Sequence, residues 1–133
     1  MTTTIVIPGK PFAKQRPRFS RLNNRSYTPA ETVSFERAVG QIAAQHFAQP
    51  LVGPVRLEIV ATFVPPQSWS RRKTADQLHR PHVQKPDADN LGKAICDGLN
   101  RIAFADDAQI ADIRVRKVWG VTEQTVIHLE AMT

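Results

Sequence analysis

The chain has 133 residues, 41% hydrophobic and 23% charged, with 18 Lys and Arg against 12 Asp and Glu and a pI near 10.1. That length fits one domain able to bury about two thirds of its unfolded surface, and no stretch approaches the ~20 apolar residues of a membrane span. The first residues lack the charged and apolar regions of a signal peptide, and the lone Cys96 excludes an internal disulfide and suits a reducing cytoplasm. A formal net charge of +6 favours an anionic partner, nucleic acid before a membrane surface.

Residues 3–7 alternate Thr3, Ile5, Ile7 against Thr4, Val6 and stop at Pro8-Gly9, which predicts a strand and a turn. A basic arm over 10–25 follows, with Lys10, Lys14, Arg16, Arg18, Arg21 and Arg25 interleaved with Phe12 and Phe19. Its prolines exclude a regular helix. The bland reading is a solvated loop; the sharper one is an arm that grips phosphates and offers an aromatic ring to an unpaired base. Thr28-Pro29-Ala30-Glu31 has the form of a capping box with Pro at the first helical position, predicting a helix over about 29–48. Val33, Ala38, Ile42, Ala43 and Phe47, widened by Phe35 and Val39, form its apolar face.

A strand over about 54–64 puts Val55, Leu57, Ile59, Ala61 and Phe63 on one face, and Val60 and Val64 make the other face partly apolar, as in an interior strand. Residues 66–84 read as a long polar loop, with room for a short helix at 70–79. They carry Arg71, Arg72 and Lys73 as further candidate DNA contacts. His79 and His82 invite a zinc reading, but one cysteine makes a four-ligand site hard to assemble, so they read as surface histidines or occasional phosphate contacts. Beyond them, Leu91, Ala94, Ile95, Leu99 and Ile102 mark an amphipathic helix. Strands follow over 109–119, with Ala111, Ile113, Val115 and Trp119 on one side, and over about 122–131, with Ile127, Leu129 and Ala131 inward. The order predicts an α+β fold, a small mixed sheet with two main helices packed on it.

The acidic residues carry the chemistry. Asp87 and Asp89 stand where the second main helix begins, and Asp106 and Asp107 follow its end. A first-turn Asp is ordinary capping when taken alone, but capping needs only one and leaves the trailing pair unexplained. Four carboxyl groups gathered on a basic chain suit a hard divalent cation, Mg²⁺ or Mn²⁺. Asp87, Asp89 and Asp107 are then candidate ligands, Asp106 is an alternate one, and Asp97 faces solvent. Lys93, one turn after Asp89, either pairs with it or meets a phosphate oxygen. The helix is about 20 Å long, so Asp107 can reach the first two only if residues 103–108 fold back and the next strand runs antiparallel to the helix. A calcium loop is excluded: its fifth position would be Leu91 and its twelfth Gly98.

Asp87-Ala88-Asp89-Asn90-Leu91-Gly92-Lys93-Ala94, then Asp97-Gly98-Leu99 and Asp106-Asp107-Ala108-Gln109-Ile110, resembles the signature of the RusA family of Holliday junction resolvases, often carried by phages and prophages. The resemblance is close over 85–119 and extends by length and element order to a single RusA-like domain over 1–133. It implies catalytic Asp87, Asp89, Asp107 and Lys93, with Asp106 as the neighbouring acid. It also implies Mg²⁺ with Mn²⁺ able to substitute, a homodimer, and paired incisions in four-way DNA junctions, with no membrane and no small-molecule cofactor. The arm 10–25 and loop 66–84 depart from the best-known member and approach a branch with a KQRPRF-like arm. Competing readings are a less selective nuclease on flaps or forks and a non-catalytic DNA-binding module with a structural acidic cluster.

Overall fold

The structure, a computed structural model, describes residues 2–132. A four-stranded sheet is built from β1 (Thr2–Pro8), β4 (Val55–Phe63), β5 (Ile110–Trp119) and β6 (Gln124–Ala131), in the order β1-β6-β4-β5. β1 with β6 and β6 with β4 pair antiparallel, while β4 and β5 run parallel. A parallel pair needs a crossover, and here the crossover contains α2 (Arg71–Gln77) and α3 (Ala88–Leu99). The remaining elements are a short hairpin, β2 (Arg18–Ser20) with β3 (Arg25–Tyr27), and helix α1 (Ala30–Ala44). No helix of the described residues is long and apolar enough to cross a membrane.

The α+β expectation holds, and so does the interior placement of β4, whose Val55, Leu57, Ile59, Ala61 and Phe63 are all buried. Val55, Leu57 and Ile59 form the floor on which α1 and α3 pack, together with Ile5, Ile7, Ile127 and Leu129, while Ala61 and Phe63 pack with Leu91 and Trp119. The sheet's other face stays open and pairs its charges internally: Arg56 meets Asp112 at 3.1 Å, and Glu58 stands between Arg114 and Arg116.

The short helix allowed for at 70–79 forms as α2, capped by Ser70, whose hydroxyl accepts the Lys73 N–H. Several other expectations are corrected. The first helix begins one residue later than the Thr28 box implies: Pro29 is the N-cap, and no side chain caps. That helix ends at Ala44, and Phe47 reaches the core from the following loop. On α1, Val33 is exposed and Thr32 is buried instead, its hydroxyl bonded to Gln15 of the arm. On β6, Ala131 is exposed and Thr125 takes the inward position. His82 is not a surface residue. Its ring lies between Phe63 and Trp119, with centroids 4.1 and 4.4 Å away. Burial, then the Lys117 charge, lowers its pKa and keeps it neutral.

Helices α1 and α3 approach closely because each presents a glycine at the crossing. A Cβ at Gly98 would lie 2.7 Å from Val39 Cβ and 3.2 Å from the Glu36 carbonyl oxygen. One at Gly40 would meet Ile102 at 2.9 Å. Gly98→Ala is therefore expected to lower unfolding free energy by about 1–3 kcal/mol, the range for overpacking a well-filled core. Urea denaturation measures this; an unchanged midpoint would show that the helices separate at no cost.

Candidate active site

Asp87 occupies the N-cap position of α3 with extended backbone and no capping hydrogen bond from its side chain, and Asp89 lies in the first turn, where a carboxylate suits the helix dipole. Asp89, Lys93 and Asp97 recur at four-residue intervals and so share one helical face. After Leu99 the chain reverses. Arg101 takes a left-handed conformation (φ 69°), and a single 3-10 turn at Asp107–Gln109 leads directly into β5. The fold-back required by the spacing is thus present.

Gln109 holds this reversal. Its Oε1 accepts the N–H groups of Ala105 and Asp106 at 2.8 and 3.1 Å, and its Nε2 donates to the carbonyls of Leu51 and Gly53 at 3.0 and 2.9 Å. Asp106 completes a capping box by accepting the Ala108 N–H. The pattern Asp106-x-x-Gln109 could have revealed this in the sequence.

The reversal brings the two ends of the motif to one cavity of about 400 Å³, lined by Asp89, Lys93, Cys96, Asp97, Asp107 and Ile113, among others. Sequence reasoning places Asp97 in solvent. Instead it lines the cavity and, with Glu36, binds the Lys14 ammonium. Burial works against the Lys14 charge, but the hydrogen bonds and charges of Asp97 and Glu36 outweigh it and raise the pKa. Lys14, grouped by sequence with the DNA contacts, is thus committed inside the protein. Phe12, offered as a stacking ring, is likewise stacked on Phe35 at 4.9 Å.

Asp87 and Asp106 do not line this cavity. The Asp87 carboxylate takes a 2.9 Å hydrogen bond from Lys85, which with the lysine's charge lowers its pKa. Asp106 shares a hydrogen bond with Asp107. Its own pKa falls, chiefly through the Ala108 N–H. That of Asp107 rises, first through the bond to Asp106, then through desolvation and repulsion by Asp106 and Asp97. No ion pair joins Asp89 to Lys93 among the described residues; Asp89 instead accepts the Asn90 N–H at 3.0 Å.

Among the described residues, no three His, Cys, Asp or Glu side chains are gathered closely enough to hold a metal ion as they stand. The donor chemistry of the cavity nevertheless fits a hard cation. Burial, with the charges of Asp97 and Asp107, pushes the Cys96 thiol up to about 11, so no thiolate competes at neutral pH. Carboxylate oxygens are the ligands on offer, as Mg²⁺ and Mn²⁺ prefer.

The remaining candidate cations stand apart from the cavity. Arg16, Arg18, Arg21 and Arg25 lie along the arm and its hairpin, beside Phe19, Tyr27 and a fully exposed Leu22, and all four arginines are exposed. Arg71, Arg72 and Lys73 are exposed on the first turn of α2, with the Lys73 ammonium 4.4 Å from the Trp69 ring centre.

Compared with known families, residues 8–130 match the model described as Endodeoxyribonuclease RusA. The chain belongs to the RusA endodeoxyribonuclease family. The Bacillus subtilis (strain 168) protein YqaN, itself uncharacterized, is 34% identical to this RusA-family chain over 119 residues, covering 84% of this chain and 83% of YqaN. Membership makes DNA the substrate class and phosphodiester hydrolysis the family reaction.

Proposed function

We propose that this chain is a Mg²⁺-dependent endodeoxyribonuclease that resolves four-way DNA junctions by paired incisions as a homodimer, with Mn²⁺ able to substitute. The observation that carries the reading is the shared cavity: Asp89, Lys93 and Asp107, from opposite ends of the α3–β5 reversal, line it together. A purely structural acidic cluster would pair its carboxylates with cations. Here Asp107 is pressed by Asp106 and Asp97, and Lys14 answers only Asp97 and Glu36.

Asp89 and Asp107 would hold the cation, with Asp87 as the third carboxylate and Asp106 steadying Asp107 from behind. A bound Mg²⁺ supplies an acidified water and neutralises charge on the phosphate oxygens. Lys93, free of an ion pair with Asp89, meets a non-bridging phosphate oxygen and fixes the scissile group over the carboxylates. The arginines of the arm and α2 hold flanking phosphates. An isologous C₂ dimer presents two such sites to a junction of near two-fold symmetry.

Asp89→Asn should lower incision of a synthetic mobile junction by more than the ~100-fold that removing an outer partner costs a metal site, while junction binding persists. Normal cutting by that variant would contradict the assignment. Equal cutting of a linear duplex with the same arm sequence would replace junction resolution by the flap-or-fork reading.

Arg16→Ala and Arg18→Ala should each weaken binding and flatten the log–log salt dependence by about one unit for every phosphate left without its cation. Unchanged slopes in both would return the arm to a solvated loop.

A further inference from the structure

A second cavity, of about 310 Å³, is lined by Lys10, His82, Gln84, Lys85, Trp119 and Glu123, among others. It lies beyond the carboxyl ends of the parallel strands β4 and β5, at Phe63 and Trp119, which is where open sheets of parallel strands receive ligands. Its volume is at the small end of ligand sites, about 300–1,000 Å³.

This cavity is coupled to the acidic one through β5. Val115 lines the first cavity and Trp119 the second, four residues along the strand and so about 13 Å apart. Between them the Lys117 ammonium donates to the carbonyls of Gln84 and Pro86, at 2.7 Å for the latter, fixing the segment that leads into Asp87. Lys85 belongs to both places: it lines the second cavity and hydrogen-bonds the Asp87 carboxylate.

The lining has the chemistry of a nucleotide site. Lys10 and Lys85 are exposed ammonium groups suited to phosphate. Gln84 offers an amide donor and acceptor, and Glu123 offers acceptors, the two functions that read the edge of a base. Phe63, Pro66 and Trp119 supply apolar wall. His82 is buried with its Nδ1 lacking any hydrogen-bond partner, one more polar group that the fold leaves open. A base inside a duplex cannot reach such a recess; one taken out of the stack can.

We propose that this cavity receives a single nucleotide drawn out of the base stack beside the cut, its base among Gln84, Glu123 and the apolar wall and its phosphate against Lys10 and Lys85. The proposal rests on the nuclease reading above and adds to it the element that selects which phosphodiester is cut. Seating one nucleotide about 13 Å from the acidic cavity fixes the register of the strand across Asp89 and Asp107.

The test uses full-length protein and a four-way junction carrying 2-aminopurine singly at successive positions near the crossover. Binding by the Asp89→Asn variant should raise fluorescence about threefold or more at one register, as a base leaves the stack, and adding Gln84→Ala with Glu123→Ala should remove that rise. In the active protein the same two substitutions, both on exposed residues, should spread incisions over neighbouring phosphodiesters, with thermal melting reporting the folded fraction. A flat fluorescence response at every position, or an unchanged cut pattern in the double variant, overturns the proposal. Absence of Mg²⁺-dependent incision by the unsubstituted protein would instead overturn the nuclease reading, and the fluorescence arm, which needs only binding, would still decide the cavity. Failure to bind the junction at all would overturn both.

Discussion

The site depends on one amide side chain. Gln109 satisfies two backbone donors of the 105–106 turn and two carbonyls of the segment leading to β4, so both ends of its amide are used fully. Those four bonds hold the chain in reversal after α3 and start β5 beside the helix it has just left. Without the reversal, a helix continued from α3 would carry Asp107 about 27 Å from Asp89. With it, residues 18 positions apart in sequence line the same cavity. The glycine crossing of α1 and α3 supports this from behind by fixing where α3 lies on the sheet.

Charge is divided among the faces. The open side of the sheet neutralises itself through Arg56, Arg114 and Arg116 against Asp112, Glu58 and Glu130, so the basic excess is carried by the arm and by α2. The acidic cavity, lined by Asp89, Asp97 and Asp107, belongs to a chain of formal net charge +6, a balance that favours anionic partners at long range. Lys14 ties the two regions together: its ammonium neutralises Asp97 and Glu36, and its backbone N–H donates to the Asn90 carbonyl at 2.9 Å. The arm is thereby anchored to the helix that carries Asp89 and Lys93.

Much of this is legible in the sequence because it rests on local periodicity. The alternation of β4, the stripe of α3 and the acidic spacing are each set by near neighbours. What escapes depends on distant contacts. His82 looks polar in isolation, yet Phe63 and Trp119, far from it in sequence, close around its ring. Lys14 and Phe12 sit in a basic, proline-rich run, but Asp97, Glu36 and Phe35 draw them inward. The Thr28 box fails because Pro29, with ψ 144°, is itself the non-helical residue at the helix start. Asp97 is a different kind of miss: Asp89, Lys93 and Asp97 at intervals of four already place it on the helix face that lines the cavity.

Everything turns on whether the cavity between α3 and β5 takes a divalent cation through Asp89 and Asp107 together. Titrating Mn²⁺ into the folded protein, followed by the disappearance of the free ion's paramagnetic resonance signal, tests this directly. Saturable binding is expected, weakened at least about tenfold in both Asp89→Asn and Asp107→Asn. Binding untouched by either substitution would contradict it.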